Sequence, residues 1–150
     1  MTYGAGFNLM TEKSVEDGGF QATISSNAIT LNDMLELDVG APTWTDADAS
    51  TQYWQLKAIA METVTTAATV INVQLCYPGQ LWAAETANNS AAADNGDRMI
   101  LTDANTVNNT GTDSAAQEAV FTQLFIIGAV AEKRIGGLIA WGGGINPDAA

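Results

Sequence analysis

Histidine is absent from this chain, and with it the side chain that most often moves protons near neutral pH. The single cysteine, Cys76, has no partner for an internal disulfide and no imidazole to activate it. Its place in an apolar strand reads as a small packed side chain. Basic residues are also scarce, 5 against 17 acidic ones for a net charge of −12, and Lys133-Arg134 is the only adjacent pair. Binding to a phosphate backbone needs clustered Lys and Arg, so no nucleic-acid partner is expected. The negative field favours solubility and repels like copies until a fitting surface is met. Long apolar runs are missing too: the longest, residues 124–131, has eight residues, where about 20 are needed to span a bilayer. Residues 1–20 hold Glu12, Lys13, Glu16 and Asp17 and lack the basic start and apolar core of a secretory signal. A soluble protein, with no membrane partner and no visible export signal, is the expectation.

What is present is alternation. In residues 69–77, Ile71, Val73, Leu75 and Tyr77 share one face and Asn72, Gln74 and Cys76 the other, the pattern of a half-buried strand. Pro78-Gly79 suits the centre of a type II turn, which would fold the chain directly back into a second strand over 80–85. Residues 28–39 alternate likewise, with Asn32-Asp33 marking a bulge or tight turn, and 43–51 read as a polar loop despite Trp44. A strand over 53–61 places Trp54, Leu56, Ala58 and Ala60 on one side and Gln55 and Lys57 on the other. A helical turn is expected near Ala91–Ala93, a short strand over 98–101, and a capped helical turn after Ser114-Ala-Ala-Gln117. Residues 120–130, dense in β-branched and aromatic side chains, read as a strand that could be buried on both faces. The last strand, 135–141, is weakened by Gly136 and Gly137. The expected fold is all-β, a small barrel or sandwich of roughly six to eight short strands with one or two short helical turns. Residues 1–20 read as an extended N-terminal arm, 21–141 as the β-rich domain and 142–150 as a flexible tail, although the first segment could equally fold onto its own domain.

Chemistry finds few candidates. Nearly all the carboxylates lie in polar loops, and no nucleophile has a base beside it, so no catalytic residue and no enzymatic activity are expected. Asp94-Asn95-Gly96-Asp97 invites calcium, but twelve residues counted from Asp94 end at Asn105 where an EF-hand loop needs Glu. Gly142-Gly143-Gly144 lacks the Lys-Ser or Lys-Thr of a phosphate loop. No metal and no cofactor are therefore assigned. The sequons at Asn88 and Asn108 read as accidents of an Asn-rich composition. The four tryptophans, Trp44, Trp54, Trp82 and Trp141, read mainly as core, with Trp44 and Trp82 the candidates for a carbohydrate platform.

Taken in order, several segments resemble the small decoration, or cement, proteins of tailed-bacteriophage heads. They are Ala58-Ile-Ala-Met-Glu62, Ala68-Thr-Val-Ile-Asn-Val-Gln-Leu75, Pro78-Gly-Gln-Leu-Trp82, Gly96-Asp-Arg-Met-Ile-Leu-Thr102, Thr106-Val-Asn-Asn-Thr-Gly-Thr112, the 121–130 strand, Lys133-Arg134 and Gly137-Leu-Ile-Ala140. The likeness is one of pattern and composition, covers half to two thirds of the chain, and contains no signature residue. It implies a compact β-rich knob, commonly a homotrimer, located on the outer face of the virion capsid. There it would bind the major capsid protein and bridge neighbouring subunits. Under that implication Tyr3, Phe7, Leu9 and Met10 of the arm are the candidate capsid contacts. A carbohydrate-binding or adhesin-like β-domain is the alternative from another class.

Overall fold

Among the described residues, short alternating segments separated by turn residues fold into eleven strands and two single turns of 3-10 helix. The computed structural model describes residues 3–10, 18–24, 28–38, 40–65, 70–110, 117–144 and 147. The strands are β1 (Asn8–Leu9), β2 (Gly19–Thr23), β3 (Met34–Leu37), β4 (Trp44–Asp46), β5 (Lys57–Ala60) and β6 (Val70–Leu75), then β7 (Trp82–Thr86), β8 (Arg98–Asp103), β9 (Thr106–Asn108), β10 (Phe121–Ile126) and β11 (Arg134–Ile139). The all-β expectation holds. The strands outnumber the six to eight expected because pieces such as β1, β4 and β9 span only two or three residues, too few to display a period. The turn expected near Ala91 is the 3-10 turn Ala92–Asp94, and a second covers Val130–Glu132. The capping box lies largely outside the described residues.

Two sheets divide the chain. In the first, β7, β11, β10, β8 and β9 follow one another, and β9 pairs back onto β7 in parallel through Glu85↔Thr106 and Thr86↔Val107. This closes a five-stranded barrel, to which β1 adds on the remaining stretch of β7 at Trp82 and Ala83. Closure removes the exposed edges that would otherwise recruit another strand. The second sheet runs β2-β6-β5-β3-β4, antiparallel throughout, and curls until Ile24 bridges Trp44.

Each sheet has its own core. Ala22, Ile29, Leu35, Ala58, Ala60, Ile71 and Val73 fill the curled sheet. Trp82, Met99, Leu101, Val107, Phe121 and Ile135 fill the barrel, joined by Met34 and Ile59 from the opposite faces of β3 and β5. Strands β3 and β5 are thus wedged between two cores, and every residue of β5 is buried. Fully burying each large apolar side chain stabilises by roughly 1.5–3 kcal/mol, so both faces of these strands count.

Two expectations are corrected. Pro78-Gly79 does form a turn, with Gly79 at φ 95, but the strands it joins belong to different sheets. Both sides of β6 are already taken by β2 and β5, so the chain leaves for the barrel and no hairpin forms. Gly137 is a packing requirement of β11: a Cβ there would overlap the Thr122 carbonyl oxygen and press on the Phe121 ring, both on the adjacent strand β10.

Candidate interaction surfaces

The four residues assigned to an N-terminal arm lie on the domain itself. Phe7 is 0% exposed, its ring 6.0 Å from that of Phe121, and its N–H donates to the Asn32 carbonyl at 3.0 Å. Leu9 pairs with Trp82 in the β1–β7 ladder, and the Met10 N–H donates to the Leu81 carbonyl at 2.7 Å. Tyr3, Leu9 and Met10 are half-buried. Residues 3–10 are therefore paired onto the domain, with Phe7 inside the barrel core and Leu9 packed against it. Phe7 has no surface left to offer another protein. Residues 11–17 lie outside the described set, and β2 begins the curled sheet at Gly19. At the other end, the Gly144 N–H donates to the Trp54 carbonyl at 2.9 Å, which ties down the start of the supposed tail.

The proposed carbohydrate platform is also internal: Trp44 is 7% and Trp82 2% exposed. Trp141, which the strand pattern had placed in the core, is 41% exposed. It sits two residues past the last strand residue, Ile139, and beside a glycine run, where the alternation that predicted burial has already ended.

Among the described residues, two concavities matter for contact with another molecule. One, of about 280 Å³, lies over β1 between Tyr3, Asn8, Asn32, Met61, Gln74 and Trp82. Its amides serve local order: Asn8 Nδ2 donates to the Gly4 carbonyl at 2.8 Å, and Asn32 Nδ2 to the Ala5 carbonyl at 3.2 Å. The other, of about 270 Å³, is bounded by Tyr77, Pro78, Gln80, Thr122, Leu138 and Trp141. Gln80 stiffens it, since its Oε1 accepts the Tyr77 N–H at 2.8 Å and its Nε2 donates to the Leu75 carbonyl at 3.2 Å. Exposed Leu124 and Leu138 lie on the neighbouring strands β10 and β11. No residue lining this groove is charged, in a protein whose net charge is −12. A pre-shaped uncharged hollow with an exposed Trp141 and a half-buried Tyr77 is suited to anchoring another surface, because aromatic side chains supply large contact area at little entropic cost.

The buried ionisable groups sit elsewhere, between the two cores. Lys57, placed by the sequence pattern on a polar side, is 1% exposed. Its ammonium donates to the carbonyls of Tyr53 at 2.8 Å, Gln55 at 2.7 Å and Ala140 at 3.1 Å. Burial pushes Lys57 down to about 8, with Cys76 and Glu36 acting in the opposite direction. The three carbonyls compensate the ammonium, so it stays charged at neutral pH. Cys76, directly across the β5–β6 ladder, has its thiol pushed up by burial and is inert as a nucleophile. Glu36 is raised by burial and accepts the Thr51 hydroxyl. Among the described residues no set of three His, Cys, Asp or Glu side chains gathers to hold a metal. In the Asp94–Asp97 loop the Asn95 side chain instead accepts from the buried Gln123 Nε2 at 2.9 Å. Lys133, in left-handed conformation, donates to the Ala87 carbonyl, and Arg134 pairs with Glu85 at 3.6 Å across β11 and β7. Among the described residues no helix is long and apolar enough to cross a membrane. Compared with known proteins, the chain matches no family model and no curated relative.

Proposed function

We propose that this protein is a non-enzymatic structural component of a virion. It binds the outer surface of an assembled phage capsid, contacts the major capsid protein, and as a homo-oligomer, a trimer by the resemblance, bridges neighbouring subunits. The observation that carries the reading is the uncharged groove of Tyr77, Pro78, Leu138 and Trp141 on a closed barrel. A rigid body of this kind loses little entropy on docking, and a symmetric oligomer multiplies modest contacts through effective concentration. The resemblance in segment order supplies the identity of the lattice. The contact assignment moves from the N-terminal residues to this groove, since Phe7 is spent on the core.

The test is co-sedimentation with purified heads that lack the protein. Trp141→Ala should weaken binding by roughly thirtyfold, the effect of losing about 2 kcal/mol at a central aromatic anchor, while Met61→Ala leaves it unchanged. Equal binding by wild type and Trp141→Ala would remove the groove from the proposal, and no binding by wild type would remove the capsid role. The carbohydrate-binding or adhesin reading is favoured by one feature, the exposed Trp141 beside Tyr77. A glycan-array signal lost in Trp141→Ala would select it.

A further inference from the structure

Asp33 ends the turn that leads into β3, and it is 6% exposed. Its Oδ2 accepts the Thr30 N–H at 2.9 Å, while its Oδ1 is buried without a hydrogen-bond partner. The corner around it joins the two sheets. The Asp33 carbonyl accepts the Ala60 N–H at 2.9 Å within the curled sheet, and the next residue, Met34, donates its N–H to the Ala104 carbonyl at 2.6 Å, in the turn between β8 and β9 of the barrel. That turn brings Asp103 and the Asn105 side chain to Asp33, and β4 brings Asp46 within electrostatic reach. Glu36, on β3 itself, is engaged with Thr51 and couples to Asp48 and Lys57. Lys57, the cation of adjacent β5, is held by its three carbonyls. Among the described residues no cation therefore acts on Asp33 or Asp46.

We propose that Asp33 acts as a pH-sensitive latch between barrel and curled sheet, tight while its buried carboxyl holds a proton and weakened when it ionises. An ionised carboxylate with an orphaned buried oxygen is costly, and protonation removes that cost. Burial raises Asp33 above the ordinary carboxylate range, the Thr30 N–H and Asn105 oppose the rise, and Asp103 adds to it. Asp46 is pushed up to about 6, by burial first and Asp33 second, but it reaches solvent, which screens its share and leaves the latch to Asp33. The raised folded-state value means that the folded chain holds a proton the unfolded chain releases. The stabilisation is thus complete below the unfolded value and is lost as pH rises through the folded one.

Carboxyl-carbon NMR titration of the intact protein should show Asp33 titrating after the bulk of the aspartates. Urea unfolding from about pH 4 to 7 should show the folding equilibrium weakening by up to about tenfold per pH unit until Asp33 has ionised, and Asp33→Asn, which mimics the neutral acid, should abolish that part of the dependence. Titration of Asp33 with the other aspartates, or an unchanged slope in Asp33→Asn, would overturn the latch. So would stabilisation of wild type, but not Asp33→Asn, by calcium chloride at pH 8, which would assign the corner to a cation.

Discussion

Replacing Lys57 by Met tests the junction of the two sheets at its most demanding point. The ammonium reaches three carbonyls at 2.7, 2.8 and 3.1 Å, two in the turn at 53–55 and one, Ala140, just past the end of β11. Hydrogen bonds to a charged donor contribute about 1.5–3 kcal/mol each, and burying the ammonium costs several kcal/mol in return. Met preserves much of the volume and removes the desolvation cost, but it leaves three carbonyls unpaired at about 1–3 kcal/mol for each one that water cannot reach. A net loss of about 3 kcal/mol follows, which is a fall of about 6–12 °C in Tm for a domain of this size. Calorimetry and urea unfolding at pH 7 measure it. The pH dependence supplies a second readout. Folding lowers Lys57 from 10.5 to about 8, so the unfolded chain binds the extra proton in that interval. Wild-type stability should therefore rise relative to Lys57→Met between about pH 8 and 10. A loss under about 1 kcal/mol at pH 7, or parallel pH profiles, would show that the three carbonyls do not depend on this side chain.

Phe7→Ala should cost about 3–5 kcal/mol, the usual penalty for emptying a buried aromatic site, and should be visible in unfolding of the isolated protein without any capsid. An unchanged midpoint would return Phe7 to a free arm. Gly137→Ala should destabilise by about 2 kcal/mol or more, because the added methyl group overlaps the Thr122 carbonyl oxygen and the strands must part to admit it. Differential scanning calorimetry against Gly79→Ala, whose Cβ meets nothing within 4 Å but whose φ of 95 is strained, separates crowding inside the barrel from backbone strain.

Local chemistry settled the class of fold. Alternation over 69–77 and 98–101, the Pro78-Gly79 turn and the residues around Ala92–Asp94 each act within a few residues, and each produced the expected element. The absence of histidine and the net charge of −12 are likewise properties of composition alone. Partner choice between strands is decided at long range. Nothing near Pro78 announces that β6 and β7 enter different sheets, because that depends on β2 occupying the free side of β6. Lys57 looks solvent-facing in a period-2 pattern, yet β5 lies between two cores and has no solvent-facing side. One core or the other likewise absorbed Phe7, Trp44 and Trp82, while Trp141, just beyond the last strand, was left at the surface. Composition and periodicity thus determined strands, turns and a net negative charge. Only tertiary packing decided which apolar residues were spent inside and which remained to meet another surface, since that choice rests on how two sheets cover one another.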